Sequence, residues 1–278
     1  MMRILIVGCG YVGLPLGVAL REAGHEVHGV RRGDGEEMAA AGIVGHAVDV
    51  TCREQLNDLP RGFDRVVLSV SSGRGSVEAH REVFVEGTRN ILEWLEGEIS
   101  VVFTSSTGVY GQVDGEEVDE NAVTEPAGET GRALLEAEGM VRNAGGIVLR
   151  VSGIYGPGRG FLYRQFLKGE ATMVGDGGRW LNMVHRDDVV GGLVAALELV
   201  KGGGVFNLTD DEPVRERDFF DWLAEALGRE LPPAGEARKR KRAMTSKRVL
   251  NAKLSGLGWL PRYPTFREGY AELMRTDG

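Results

Sequence analysis

The sequence predicts a doubly wound α/β fold: a parallel sheet with helices on both faces and a small C-terminal lobe. Three observations lead there. The continuous apolar run Ile4-Leu5-Ile6-Val7 reads as a strand buried on both faces. The turn Gly8-Cys9-Gly10-Tyr11-Val12-Gly13 follows it, in the spacing GxGxxG, and Leu14 to Ala23 then reads as a helix. Short apolar runs alternate with helical-period segments through most of the remaining chain, the pattern of repeated strand–helix–strand units.

The first helix tolerates Pro15 in its opening turn and stops at Gly24. Strand, glycine turn and helix in this order make a site for a dinucleotide's diphosphate. Gly8 permits the tight turn, Gly10 lets the backbone approach the phosphates with Tyr11 and Val12 beside it, and Gly13 lets helix and strand pack closely. The unpartnered N–H groups of the helix's first turn suit an anion.

The second strand is expected over His25–Val30. A fold of this kind often ends that strand with an acid for the ribose hydroxyl of NAD, or a base for the 2′-phosphate of NADP. Arg31 and Arg32 stand there, so the sequence points to NADP, with NAD as the alternative if Asp34 serves the ribose. Gly45–Val50 reads as a third strand ending near Asp49, and Phe63–Ser71 as a fourth. Small residues from Ser69 to Ser72 let a flat cofactor lie against that strand end, with Ser69, Val70 and Ser71 as the expected contacts. Val77–Leu95 has helical periodicity. Ile99–Phe103 is expected as the fifth strand, running into Thr104-Ser105-Ser106-Thr107-Gly108-Val109-Tyr110-Gly111.

Gly146–Val151 and Val205–Thr209 read as further strands, with a helix over Asp187–Val200 between them and another within Pro213–Gly228. The expected organisation is a dinucleotide-binding domain over 1–155, to which 183–209 returns, and a smaller substrate lobe from 156–182 and 210–278. The basic run Arg238-Lys239-Arg240-Lys241-Arg242, with Lys247-Arg248, reads either as a solvated loop or as contact with a substrate diphosphate.

With 278 residues and 42% hydrophobic content the chain can bury a large core. It has no apolar run near membrane-spanning length and no leader pattern at its start, so no membrane partner is expected. A net charge of -8 argues against nucleic acid as a general partner. The two cysteines are far apart and suggest a reducing, cytoplasmic setting. No His/Cys/carboxylate cluster has metal-ligand spacing, so no metal is expected.

Taken together the motifs resemble the extended short-chain dehydrogenase/reductases, the NAD-dependent epimerase/dehydratase family. GCGYVG matches its glycine turn, and Asp49 the acid expected to contact adenine. SSTGVYG matches the strand of the catalytic serine, here Ser106. LRVSGIYGPGR, from Leu149 to Arg159, and NMVHRDDV, from Asn182 to Val189, match two later segments, and Leu257-Gly258-Trp259 with Pro261 a C-terminal one. The chain is most similar to atypical members described as nucleoside-diphosphate-sugar epimerase-like. The resemblance implies a Rossmann-like fold, hydride transfer with a nicotinamide cofactor, a small-molecule substrate of nucleotide-sugar type, and a homodimer formed through the helices around Val77–Leu95 and Arg132–Val141.

One motif of the resemblance is missing. The family's YxxxK pair is expected in a stretch like YGxxKxxxE, and this chain reads Thr130-Gly131-Arg132-Ala133-Leu134-Leu135-Glu136-Ala137-Glu138. Thr130 stands for the tyrosine and Leu134 for the lysine; no tyrosine in the chain has a lysine four residues later. An aliphatic hydroxyl ionises too reluctantly to replace a phenol tuned by an ammonium. Ser106 is expected to hydrogen-bond the reacting oxygen with Thr130 at the catalytic position; the expected acid–base candidates are Tyr110, Tyr155, Glu129 and His185, with Arg159 and His185 as substrate contacts. A cofactor-binding protein without turnover is the alternative.

Overall fold

The computed structural model describes residues 1–33, 35–73, 76–95, 99–235 and 245–276. Seven strands form its central sheet: β1 (Arg3–Val7), β2 (Glu26–Arg31), β3 (Val44–Ala47), β4 (Arg65–Leu68), β5 (Ser100–Ser106), β6 (Ile147–Val151) and β7 (Gly204–Leu208). Their order is β7-β6-β5-β4-β1-β2-β3, and every neighbouring pair is parallel. The chain moves outward from β1 to β3, then restarts on β1's other side with β4. The strand order therefore reverses between β1 and β4, and a crevice opens at their carboxyl ends, beyond Val7 and Leu68.

Continuous apolar strands require cover on both faces, and the structure supplies it. On one face lie α1 (Gly13–Glu22), whose Leu16 and Leu20 are buried, and a helix over Arg186–Leu199 that buries Val189, Leu193 and Ala196. On the other face, Val77–Arg81, a π-helical stretch Glu82–Glu86 and Gly87–Trp94 follow one another without a break. They pack beside a helix over Glu129–Asn143 that buries Ala137 and Val141. We label these three helices, in chain order, α2 (Val77–Trp94), α3 (Glu129–Asn143) and α4 (Arg186–Leu199). A third apolar cluster is rich in aromatic rings, among them Tyr155, Phe166, Phe219, Phe266 and Tyr270.

The differences from the expected strand ends have one physical origin. Strand pairing stops at Ala47 and at Leu68, so Val48–Val50 and Ser69–Ser71 leave the ladder as loops over the crevice. The fifth strand runs longer than expected, to Ser106, because Thr104–Ser106 pair with Leu149–Val151 of β6. Pairs of very short strands, Glu116–Val118 with Lys247–Val249 and Gly153–Tyr155 with Met183–His185, tie the later chain to the body. Two- and three-residue strands carry no readable period, so the sequence does not announce them.

Candidate functional site

A cleft of about 890 Å³ runs along the carboxyl ends of the strands. Its middle is the β1–α1 turn. Gly8 has φ +93°, and a Cβ there would overlap the Ser69 carbonyl oxygen. A Cβ at Gly13 would overlap the Gly8 carbonyl oxygen and lie 3.0 Å from Ile6 Cγ2. A Cβ at Gly10 would meet nothing within 4 Å. Packing thus demands glycine at Gly8 and Gly13, but not at Gly10, where the bare backbone borders the cleft beside Tyr11 and Val12. No side chain caps α1 and no acid stands in its first turn. Backbone open to the cleft, at an uncapped helix start, fits a diphosphate. Gly13 lies beneath this surface rather than on it. Burial pushes the Cys9 thiol up to about 11, so it stays neutral behind the turn.

At one end of the cleft, Arg31 ends β2 with Arg32 just after it, and Asp49 follows β3. Arg31 pairs with the exposed Glu37 at 2.6 Å, an exposed pair of small worth that a phosphate could replace. The Asp49 carboxylate accepts from the Thr51 backbone N–H and hydroxyl, at 3.0 and 2.8 Å. Asp34 lies outside the described residues.

Toward β5, Ser69, Val70 and Ser71 line the cleft together with Ser106, Thr130 and Leu134. Ser106 Oγ accepts from the Gly108 N–H at 3.1 Å. Thr130, Leu134 and Glu138 fall on one stripe of α3 at four-residue spacing. The first two border the cleft, and Glu138 reaches the buried floor. There it accepts from Ser105 Oγ at 2.6 Å and from Arg150 Nη2 at 2.7 Å. Arg150 Nη1 donates to the Tyr110 hydroxyl at 3.0 Å, and Tyr110 donates to Asn207 Oδ1 at 2.8 Å. All five residues of this network are buried.

This network corrects the reading of Tyr110 as an acid–base candidate. The residue is fully buried in the core, its hydroxyl is held on both sides, and burial raises its pKa. Tyr155 is also withdrawn: it is 1% exposed, stacks on Tyr270 at 4.3 Å, and lies off the cleft wall. Burial, with Asp210 nearby, pushes its phenol far above the usual range. His185, expected to touch substrate, instead caps α4: Nδ1 accepts from the Asp187 N–H at 3.2 Å. It is buried among Tyr155 and Tyr263, and desolvation lowers its pKa. Glu129 is exposed and pairs with Arg132. Arg159 does border the cleft, with its guanidinium 4.9 Å over the Tyr11 ring.

Some features escaped the sequence reading. Glu138 and Arg150 carry a signal in hindsight, since each places a charge within an apolar, core-facing element. Asp210 is also buried, and burial holds its carboxyl well above the usual carboxylate range despite the Glu212 backbone N–H beside it. His80 and Ser72 border the cleft and share a 2.6 Å hydrogen bond. A lone histidine on an amphipathic helix gives no pattern to find. Arg238–Arg242 lie outside the described residues. Lys247 is buried and donates to the Tyr110 carbonyl at 2.9 Å, and Arg248 pairs with Glu117 at 3.1 Å. Among the described residues no group of three or more His, Cys, Asp or Glu side chains could hold a metal, and no helix is long and apolar enough to cross a membrane.

The parallel sheet, its switch-point crevice and the glycine turn define a Rossmann-like α/β protein of the short-chain dehydrogenase/reductase class. The chain belongs to the NAD dependent epimerase/dehydratase family, whose model matches residues 4–209. Protein YeeZ of Escherichia coli (strain K12) is 30% identical over 243 residues, covering 84% of this chain and 86% of that one. A 3-diazoavenalumate denitrifying reductase of Streptomyces sp is 28% identical, covering 96% of this chain and 99% of that one. The fold is shared with the UDP-glucuronic acid 4-epimerase of Bacillus cereus, solved with UDP-glucuronic acid and NAD: TM-score 0.78, 21% identity, 97% of each chain covered.

Proposed function

We propose that this chain binds NADP(H) in the cleft and exchanges hydride with a carbonyl or hydroxyl of a small polar substrate, of nucleotide-sugar type. The observation that carries this reading is the contrast among the three glycines. Two are closed in by packing, while Gly10 leaves bare backbone facing the cleft at an uncapped helix start. Family membership and NAD in the related Bacillus cereus structure support a nicotinamide dinucleotide. The arginines at the end of β2 favour the 2′-phosphorylated form. When bound, the nicotinamide supplies or takes the hydride.

The chain's own residues divide the remaining work. Gly8, Gly10, Tyr11 and Val12 hold the diphosphate, with Gly13 allowing α1 to approach. Arg31, Arg32 and Asp49 meet the adenosine end, and Ser69, Val70 and Ser71 support the nicotinamide end. Ser106 hydrogen-bonds the reacting oxygen, Thr130 stands beside it, and Arg159 meets an anionic part of the substrate. Residues 156–182 and 210–278 form the substrate lobe, and pairing through α2 and α3 gives a homodimer in the cytoplasm.

The test is incubation of the pure protein with NADPH and a panel of keto-compounds and nucleotide sugars, following cofactor absorbance. Turnover supports the reading. One observation favours a second reading: the YxxxK positions at the cleft hold Thr130 and Leu134. Binding of NADPH without turnover across the panel would favour a non-catalytic sensor.

A further inference from the structure

We propose that His80, held by Ser72, is the group that passes the proton to and from the substrate oxygen. The proposal rests on the reading that the cleft holds a nicotinamide dinucleotide. Tyr110, Tyr155 and His185 are buried away from the cleft, and Glu129 is exposed and salt-bridged. The ionisable side chains that border the cleft among the described residues are Tyr11, Arg31, Arg32, Asp49, His80 and Arg159. An arginine does not give up its proton in a protein. Asp49 and the two arginines at the end of β2 sit at the adenosine end. The Tyr11 ring lies under the Arg159 and Arg186 guanidinium groups, its hydroxyl is buried against Gly156 rather than open to the cleft, and burial raises its pKa. His80 remains, and imidazole is the side chain whose ordinary pKa suits proton exchange near neutrality.

Its placement fits the role. Ser72 belongs to the loop that continues Ser69–Ser71 from β4, and its Oγ lies 2.6 Å from His80 Nδ1. That bond leaves Nε2 to exchange the proton. Arg81, the next residue, pairs with Glu136 of α3 at 2.9 Å, tying His80's turn to the helix that carries Thr130 and Leu134. Thr104 Oγ1 donates to the Leu68 carbonyl at 3.0 Å, joining the end of β4 to the strand of Ser106. His80 therefore enters the cleft between the β4 loop and α3, at the end where Ser106 lies. The π-helical stretch begins two residues later, and its Val83 and Phe84 also border the cleft. Such irregular turns are frequent at functional sites.

In the reducing direction, a new C–H bond from the hydride and a new O–H bond replace the carbonyl π bond. The imidazolium Nε2 of His80 gives the proton, is left neutral, and is recharged from water. The carbonyl is reduced and the dinucleotide oxidised, so atoms and electrons balance. In the reverse direction neutral His80 takes the proton.

The test reads the position of His80 without a known substrate. The imidazole is titrated by NMR in the full chain saturated with NADPH, then with NADP+, and assigned by its loss in His80→Gln. The charges on the elements packed there are Glu78, Arg81 and Glu82 on its own helix and Glu129, Arg132 and Glu136 on α3, with Arg159 also on the cleft wall. They are common to both complexes, so the comparison isolates the positive charge of the oxidised nicotinamide ring. A pKa at least about 0.5 lower with NADP+ supports the proposal. His80→Gln should bind NADPH within about threefold of the wild type, because a proton donor is not a cofactor anchor. Identical titrations in the two complexes, or a loss of NADPH affinity beyond about tenfold in the variant, overturn the proposal while the cofactor reading stands. Failure of both NADPH and NADP+ to bind overturns the reading beneath it.

Discussion

At the β1–α1 turn the cleft wall is backbone, shaped by what glycine lacks. At the mouth of β5 and α3 it is side chains: Ser106, Thr130 and Leu134, standing on the buried chain Ser105–Glu138–Arg150–Tyr110. A backbone site depends on three glycines and a helix start, and survives change around it. A side-chain site can lose its chemistry at one position while its scaffold stays whole. Thr130 and Leu134 occupy the two expected catalytic positions, yet Glu138, further along the same stripe, still locks α3 to β6 through Arg150. The fold and the glycine turn are thus kept in a chain that lacks the usual proton donor.

Glu138→Ala probes the floor of the reaction end. It would leave the Arg150 guanidinium buried without its carboxylate, costing about 3–5 kcal/mol of unfolding free energy by denaturant titration. Little loss would mean that the floor carries no structural weight, and the contrast with the phosphate end would weaken.

Asp188 gives the next effect. It is buried at the start of α4 and accepts from the backbone N–H groups of Arg262 and Tyr263, at 2.5 and 3.2 Å. Burial pushes its carboxyl up to about 6 despite those bonds. Because folding raises this pKa, the unfolded chain releases the proton first as pH rises. The group's stabilising contribution is full below about pH 4 and is lost as pH rises toward about 6, a change of about 3 kcal/mol. Asp188→Asn should flatten the pH dependence of unfolding by that amount between those limits. An unchanged profile contradicts the assignment.

The smallest effect falls at the adenosine end. Replacing Arg31 and Arg32 by alanine should weaken NADPH binding about tenfold, roughly 1.4 kcal/mol, and leave NADH within about twofold, read by calorimetry. Equal losses for both cofactors would remove the argument for the 2′-phosphate.

The β1–α1 turn was legible in the sequence because a glycine spacing, an apolar strand and a helix stop are local signals. The order of the elements was legible for the same reason, although the ladders ended at Ala47 and Leu68 rather than Val50 and Ser71. Loops that leave a sheet to line a crevice keep the composition of the strand they continue. The reaction end was less legible because it is assembled from distant pieces. Tyr110 and Tyr155 sit in motifs suited to a cleft, but burial decides their role, and burial depends on Asn207 and Tyr270 far along the chain. His80 reaches the cleft through Ser72 and the packing of α2 on α3, neither of which leaves a spacing to read.

The central claim is that the backbone of the β1–α1 turn, left uncovered where Gly10 has no side chain, receives a diphosphate. Gly10 has room for a side chain and no left-handed backbone, so Gly10→Asp should fold as the wild type does, with a melting temperature within a few degrees. Its carboxylate would occupy the phosphate surface with like charge. Titrating NADPH into both proteins by calorimetry should show binding to the wild type and a loss of at least about 100-fold, roughly 2.7 kcal/mol, in the variant. Equal NADPH affinity in a stable Gly10→Asp, or no binding to the wild type, would contradict the account.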